Sequence, residues 1–145
     1  MKIAVTGATG TLGKAVIFRL RELGHSVIGL GMNPEKIASL KNQNFDIKRC
    51  DITNLPKLTA AVKDCDVIVH CAAYAAPFGR KERFFQTNVS GTKNVFYAGQ
   101  ENACSRIIMI SSASIFDRMP HNSHTVTLFQ SGNIGQNITM EQVNI

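Results

Sequence analysis

Three glycines near the start of the chain offer the clearest chemistry. They stand in Thr6-Gly7-Ala8-Thr9-Gly10-Thr11-Leu12-Gly13, directly behind the apolar run Lys2-Ile3-Ala4-Val5 and ahead of the amphipathic stretch Lys14–Leu23. A buried strand, a glycine turn and a helix in that order let backbone approach a pyrophosphate. The helix N-terminus then points its free N–H groups and positive dipole end at the anion. Gly7 suits a tight turn, Gly10 removes a Cβ where phosphate must approach, and Gly13 permits close packing of helix on strand. Glycine-rich turns that hold no nucleotide share this composition, so the placement between strand and helix carries the inference.

Other reactive residue types are less organised. Cys50, Cys65, Cys71 and Cys104 are scattered without a CxxC pair, which argues for reduced thiols against a disulfide framework or zinc site. His121 and His124 lie three apart with no adjoining carboxylate or cysteine, and no metal site is expected. His70 closes an apolar run and reads as a satisfied core histidine, neither a base nor a ligand.

The elements that must position these residues follow from periodicity. Strands are predicted at Lys2–Thr6, Ser26–Leu30, Phe45–Arg49, Asp66–His70 and Arg106–Ile110. Helices are predicted over Thr11–Leu23, from Asn33-Pro34 through Leu40, from Asn54 through Val62, and over Arg80–Asn102. Gly91 inside the last helix points to a close packing contact or a ligand. Apolar strands alternating with helices imply an α/β, Rossmann-type doubly wound parallel sheet of order 3-2-1-4-5. Ligand is then expected at the strand carboxyl ends, beside the switch between strands one and four.

Composition narrows the class. Of 145 residues, 44% are apolar and 18% charged, as in a globular domain with a real core. No run approaches the ~18 apolar residues of a membrane span. The first residues lack a secretory pattern. A cytoplasmic protein without membrane partner is expected. The net charge of +6 is dispersed, with Lys14, Arg19, Lys36, Arg49 and Arg83 among its sources. That suits an anionic small-molecule cofactor, and with no aromatic-plus-basic platform, no nucleic-acid partner is expected.

Five separated motifs now stand in order: the glycine turn; Asp51-Ile52-Thr53; His70-Cys71-Ala72-Ala73; Asn88-Val89-Ser90-Gly91-Thr92-Lys93-Asn94-Val95; and Ser111-Ser112-Ala113-Ser114-Ile115-Phe116. With them the chain resembles the extended short-chain dehydrogenase/reductase family, which includes nucleotide-sugar epimerases and dehydratases and 3β-hydroxysteroid dehydrogenases. The resemblance spans residues 1 to about 117 and covers the family's N-terminal, cofactor-binding part. It implies an NAD(P) cofactor held by Gly7, Thr9, Gly10, Thr11, Leu12, Gly13 and Lys14. Asp51, with Ile52 beside it, would hydrogen-bond the adenine amino group, or else serve as a turn or capping aspartate. Ala72 and Ala73 would lie against ribose and pyrophosphate. Asn88 would face the cofactor or brace strand four.

The choice of dinucleotide turns on the end of strand two. Members preferring NAD carry an acid there for the ribose 2′-OH, but Gly29-Leu30-Gly31-Met32-Asn33 has none, and no arginine either. Lys14 and Lys36 could attract a 2′-phosphate or could be solvated surface residues. The expectation leans to NADP over NAD.

The family's hydride chemistry uses Tyr-x-x-x-Lys and a serine or threonine. Ser112 matches the serine best and Ser114 next, each with a strand-end capping role as the alternative. Tyr74 and Tyr97 are followed four residues on by Phe78 and Glu101, and neither tyrosine nor lysine occurs after Ser111. Phe116 stands where many members have tyrosine. Residues 1–117 are therefore expected to form an NAD(P)-binding domain of oxidoreductase or epimerase ancestry. Residues 118–145 read as a polar, irregular tail with no domain of its own. Catalysis by this chain alone is not expected, and a non-catalytic NADP(H)-sensing or binding module is the alternative. The sheet reads as truncated after strand five, whose edge would be covered by Thr125–Phe129, a second copy or a partner chain.

Overall fold

The computed structural model describes residues 1–111 and the strands Thr125–Ser131 and Ile138–Asn144. The order is β1 (Lys2–Thr6), α1 (Thr11–Glu22), β2 (Ser26–Gly31), α2 (Pro34–Lys41), β3 (Asp46–Arg49), α3 (Leu55–Ala61) and β4 (Val67–His70). There follow α4 (Lys81–Phe85), a π-helical stretch Gln86–Gly91, α5 (Thr92–Glu101), β5 (Arg106–Met109), β6 (Thr125–Ser131) and β7 (Ile138–Asn144). The first five strands form one parallel sheet of order β3-β2-β1-β4-β5, as the alternation of strands and helices requires.

Both faces of this sheet are covered, which is why its strands are continuously apolar. Ala4, Ile28, Leu30, Ile68 and Ile107 point to one side, against Leu58 of α3 and Val95 and Ala98 of α5. Ile3, Val5, Ile47, Val67 and Val69 point to the other, against Ile17 of α1 and Ile37 and Leu40 of α2. The alternation along β1 assigns each residue its face. Because β2 and β4 flank β1 on opposite sides, the carboxyl ends of β1 and β4 form the switch point at which a ligand crevice opens.

The helix starts differ in one respect that matters. Asn33 Oδ1 accepts the Lys36 N–H at 2.9 Å and Asn54 Oδ1 accepts the Lys57 N–H at 3.1 Å, each followed by proline in the first turn. Helix α1 begins at Gly10 with no side-chain cap at all.

The long helix expected over Arg80–Asn102 is interrupted by its π-helical middle. Two contacts hold that stretch: Thr92 Oγ1 donates to the Asn88 carbonyl at 2.8 Å, and Gly91 packs so tightly that a Cβ there would lie 2.6 Å from Ile52 Cδ1. The packing contact that Gly91 signalled is therefore with Ile52. Thr125–Phe129 lies within β6, which pairs antiparallel with β7, a strand that periodicity does not indicate. β6 comes close to β5 but joins no ladder with it, so among the described residues the outer edge of β5 has no hydrogen-bonded neighbour.

Candidate cofactor site

The glycine turn at the end of β1 is built by the removal of side chains. Gly7 has φ of +70°, and a Cβ there would lie 2.7 Å from the Ala72 nitrogen and 2.8 Å from its Cα. Glycine is required twice over, by conformation and by space. The Gly10 N–H donates to the Gly7 carbonyl at 2.8 Å and closes the turn, and the Lys14 N–H donates to the Gly10 carbonyl at 2.9 Å, beginning α1. A Cβ on Gly13 would overlap the Gly7 carbonyl, with the carbonyl carbon only 2.6 Å away. Gly13 thus packs the helix onto the turn itself.

Gly10 is unlike the other two. A Cβ there meets only the Gly7 oxygen at 3.2 Å, and the residue is exposed. The fold constrains this position less than the other two, whereas an approaching anion needs the Cβ left out. Helix α1 has no acid in its first turn and carries Arg19 and Arg21 in its last, so that first turn holds no carboxylate against its own positive end. Thr11 and Leu12 lie exposed in that first turn. These residues fit a pyrophosphate.

The β4 side is built by hydrogen bonds. Thr92 spends its proton on the Asn88 carbonyl, so its oxygen accepts from His70 Nε2–H at 3.0 Å. That tautomer leaves His70 Nδ1 to accept the Thr6 hydroxyl at 2.7 Å, and the Thr6 oxygen in turn accepts the Ala72 N–H at 3.3 Å. One directional chain therefore ties the ends of β1 and β4 to the loop that follows β4 and to the π-helical stretch. Thr6 and His70 are buried, and burial pushes His70 down to about 4, keeping the ring neutral. Both ring nitrogens are occupied, which makes His70 a structural residue.

The same loop is held a second time by Asn88. Its Oδ1 accepts the Tyr74 N–H at 2.7 Å and its Nδ2 donates to the Tyr74 carbonyl at 3.0 Å. The Tyr74 ring meets Phe84 edge-on at 4.7 Å, with the Arg83 guanidinium 4.6 Å from its centroid. Asn88 thus braces the loop beyond β4.

After β3, Asp51 Oδ1 accepts both the Thr53 N–H at 2.9 Å and the Thr53 hydroxyl at 2.8 Å, while the residue stays exposed. Ile52 buries its side chain in the core, and its carbonyl accepts Asn94 Nδ2 at 2.9 Å. Burial raises all four cysteine thiols, Cys104 to about 11, so none is poised as a nucleophile.

The model of the NAD dependent epimerase/dehydratase family matches residues 3–135. The chain belongs to that family. Its ancestry is that of NAD(P)-binding oxidoreductases. It is 33% identical over 121 residues to a 2-alkyl-3-oxoalkanoate reductase of Stenotrophomonas maltophilia, covering 83% of this chain and 36% of that protein. It is 30% identical over 121 residues to a 3β-hydroxysteroid dehydrogenase/isomerase of Mycobacterium tuberculosis, covering 79% of this chain and 32% of that one. It shares its fold with a short-chain dehydrogenase/reductase superfamily protein of Agrobacterium tumefaciens solved with bound NAD (TM-score 0.71, 24% identity, 80% of this chain and 34% of that one). The chain thus spans about a third of the length of these relatives.

Of the residues singled out in this epimerase/dehydratase-family sequence, the fold gathers Gly7, Thr9, Gly10, Thr11, Leu12, Gly13, Ala72 and Ala73 at the carboxyl ends of β1 and β4. Asp51 and Ile52 follow β3 at the same end of the sheet. Lys14 Nζ leans over the Phe18 ring, 5.7 Å from its centroid, one turn further along α1. Ser112 and Ser114 lie outside the described residues, as does Phe116. Sequence reasoning placed Thr6 and Thr92 in motifs without giving them a role, and weighed Tyr74 only as a catalytic tyrosine. The four-residue spacing of Asn88 and Thr92 was the available signal for Thr92. No helix among the described residues is long and apolar enough to cross a membrane.

Proposed function

We propose that residues 1–117 bind NAD(P) across the carboxyl ends of the parallel sheet, with the pyrophosphate over Gly10 and the first turn of α1. The observation that carries this reading is the contrast among the three glycines: a Cβ on Gly7 or Gly13 would run into backbone at under 3 Å, whereas one on Gly10 would press only on the Gly7 oxygen, at 3.2 Å. Asp51 keeps Oδ2 for the adenine amino group while Oδ1 holds the Thr53 turn. Ala72 and Ala73 offer a wall without bulk beside the ribose, and Thr9, Thr11, Leu12 and Gly13 line the turn.

A bound nicotinamide would supply or accept hydride. The residues of this chain position the dinucleotide, and Ser112 is the candidate to orient a substrate oxygen. Within these 145 residues no Tyr-x-x-x-Lys accompanies Ser112, which favours cofactor binding over independent turnover. An NADP(H)-responsive binding module, cytoplasmic and acting through a partner chain or a second copy at the β5 edge, is the second reading. The same missing motif favours it. Fluorescence titration with NADH and NADPH tests both: binding below millimolar concentration is expected, and no binding at millimolar concentration overturns them. Turnover of carbonyl substrates that is lost in Ser112→Ala would overturn the non-catalytic version.

A further inference from the structure

We propose that Arg49 is the residue that reads the adenosine 2′-phosphate and gives this domain a preference for NADP(H) over NAD(H). This rests on the cofactor reading above. Three observations converge on it.

The first is steric. Gly31 ends β2, where a carboxylate would take the 2′-OH of NAD. A Cβ at Gly31 would stand 2.5 Å from Thr9 Cγ2 and 2.7 Å from Thr9 Oγ1. Thr9 of the glycine turn fills the space a side chain would need, so this corner offers the ribose neither a carboxylate nor room for one.

The second is register. In the β2–β3 ladder Gly29 pairs with Ile47 and Gly31 with Arg49, and the Cys50 N–H donates to the Gly31 carbonyl at 3.1 Å. Ile47 reaches the bare Cα of Gly29, which shows that these paired residues share one face. Alternation then puts Arg49 on the face of Gly31 and Thr9. It is the basic residue nearest the vacated corner along the ladder.

The third is availability. Arg49 is exposed, and the one ion pair among the described residues joins Arg19 to Glu22 on α1. The rival cations are placed less well. Lys14 leans over Phe18, and Lys36 lies exposed in the first turn of α2, beyond the Asn33 cap and beside Glu35. A planar guanidinium can give two parallel N–H donors to one phosphate, which an ammonium cannot.

The test is fluorescence titration of the full chain and of Arg49→Gln, Lys36→Ala and Gly31→Asp with NADPH and NADH, with 2′,5′-ADP and 5′-AMP as minimal competitors. The wild type should bind NADPH at least tenfold more tightly than NADH and 2′,5′-ADP more tightly than 5′-AMP. Arg49→Gln should erase both preferences while leaving NADH affinity within twofold. Lys36→Ala should change the ratio by less than threefold. An NADPH/NADH ratio unchanged in Arg49→Gln overturns the proposal, as does a wild type that prefers NADH. In both cases the cofactor reading survives, whereas a folded wild type that binds neither dinucleotide overturns both. Thermal melts establish that each variant is folded, and Gly31→Asp, which must displace Thr9, gives an independent arm read as a ratio: its carboxylate should weaken NADPH binding more than NADH binding, and an NADPH/NADH ratio that does not fall counts against the assignment.

Discussion

The two walls of the crevice are made by opposite means. At β1 the wall is made by leaving side chains out, so that Gly7, Gly13 and the backbone of Ala72 touch directly. At β4 it is made by linking side chains together, from Ala72 through Thr6, His70 and Thr92 to Asn88. The first wall tolerates almost no added atom. The second depends on the hydrogen-bonding character of its buried side chains. Ala72 belongs to both, because its nitrogen abuts Gly7 and donates to Thr6. Moving that one residue therefore couples the glycine turn to the loop after β4.

The β1 wall should break first. Gly7→Ala places a Cβ in the left-handed region and against the Ala72 backbone. Strain and overpacking together should cost about 3 kcal/mol. Urea unfolding should show that loss, and cofactor binding should disappear with it. Gly13→Ala, which meets the Gly7 carbonyl, should behave alike. A melt unchanged in either variant would mean that the turn yields more easily than this geometry allows.

The β4 wall should break with pH. His70 is held neutral in the fold, with its pKa depressed to about 4 from an ordinary value near 6.5. Between those values the unfolded chain binds a proton that the folded chain refuses, so stability falls as pH drops from about 6.5 to about 4 and levels off below. The full effect is up to about 3 kcal/mol. Unfolding free energies measured at pH 7, 5.5 and 4.5 should show that slope, and His70→Asn should flatten it.

Asn88→Ala comes next in size. It removes two hydrogen bonds to Tyr74 at an exposed site, which should cost about 1 kcal/mol of stability. Cofactor affinity should drop by more than stability does, because the loop bearing Ala72 and Ala73 loosens. Faster hydrogen exchange at the Tyr74 amide would report that loosening.

The two walls were also unequally legible. Omitted side chains leave a mark in sequence, since glycines at 7, 10 and 13 behind an apolar strand and ahead of a helix spell out a turn stripped of bulk. What sequence could not show was that Gly13 packs on the turn and that Gly10 is the least crowded of the three. The linked wall was half visible. His70 read as a satisfied core histidine, but its partners Thr6 and Thr92 are 64 and 22 residues away, and only the fold brings them together. The Asn88–Tyr74 pair spans a loop, and no periodicity encodes it. The π-helical stretch escaped notice because six residues are little more than one turn, too short for a change of period to show. Arg49 was one dispersed cation among many until strand register set it beside Gly31.

Gly10→Ala tests most directly whether the glycine turn serves a dinucleotide and not merely the fold. Its added methyl meets only the Gly7 oxygen at 3.2 Å, so stability should change by less than about 1 kcal/mol. NADPH affinity measured by fluorescence on the same sample should fall at least tenfold. A variant that melts like the wild type and binds NADPH equally well would contradict a phosphate-binding role for the turn.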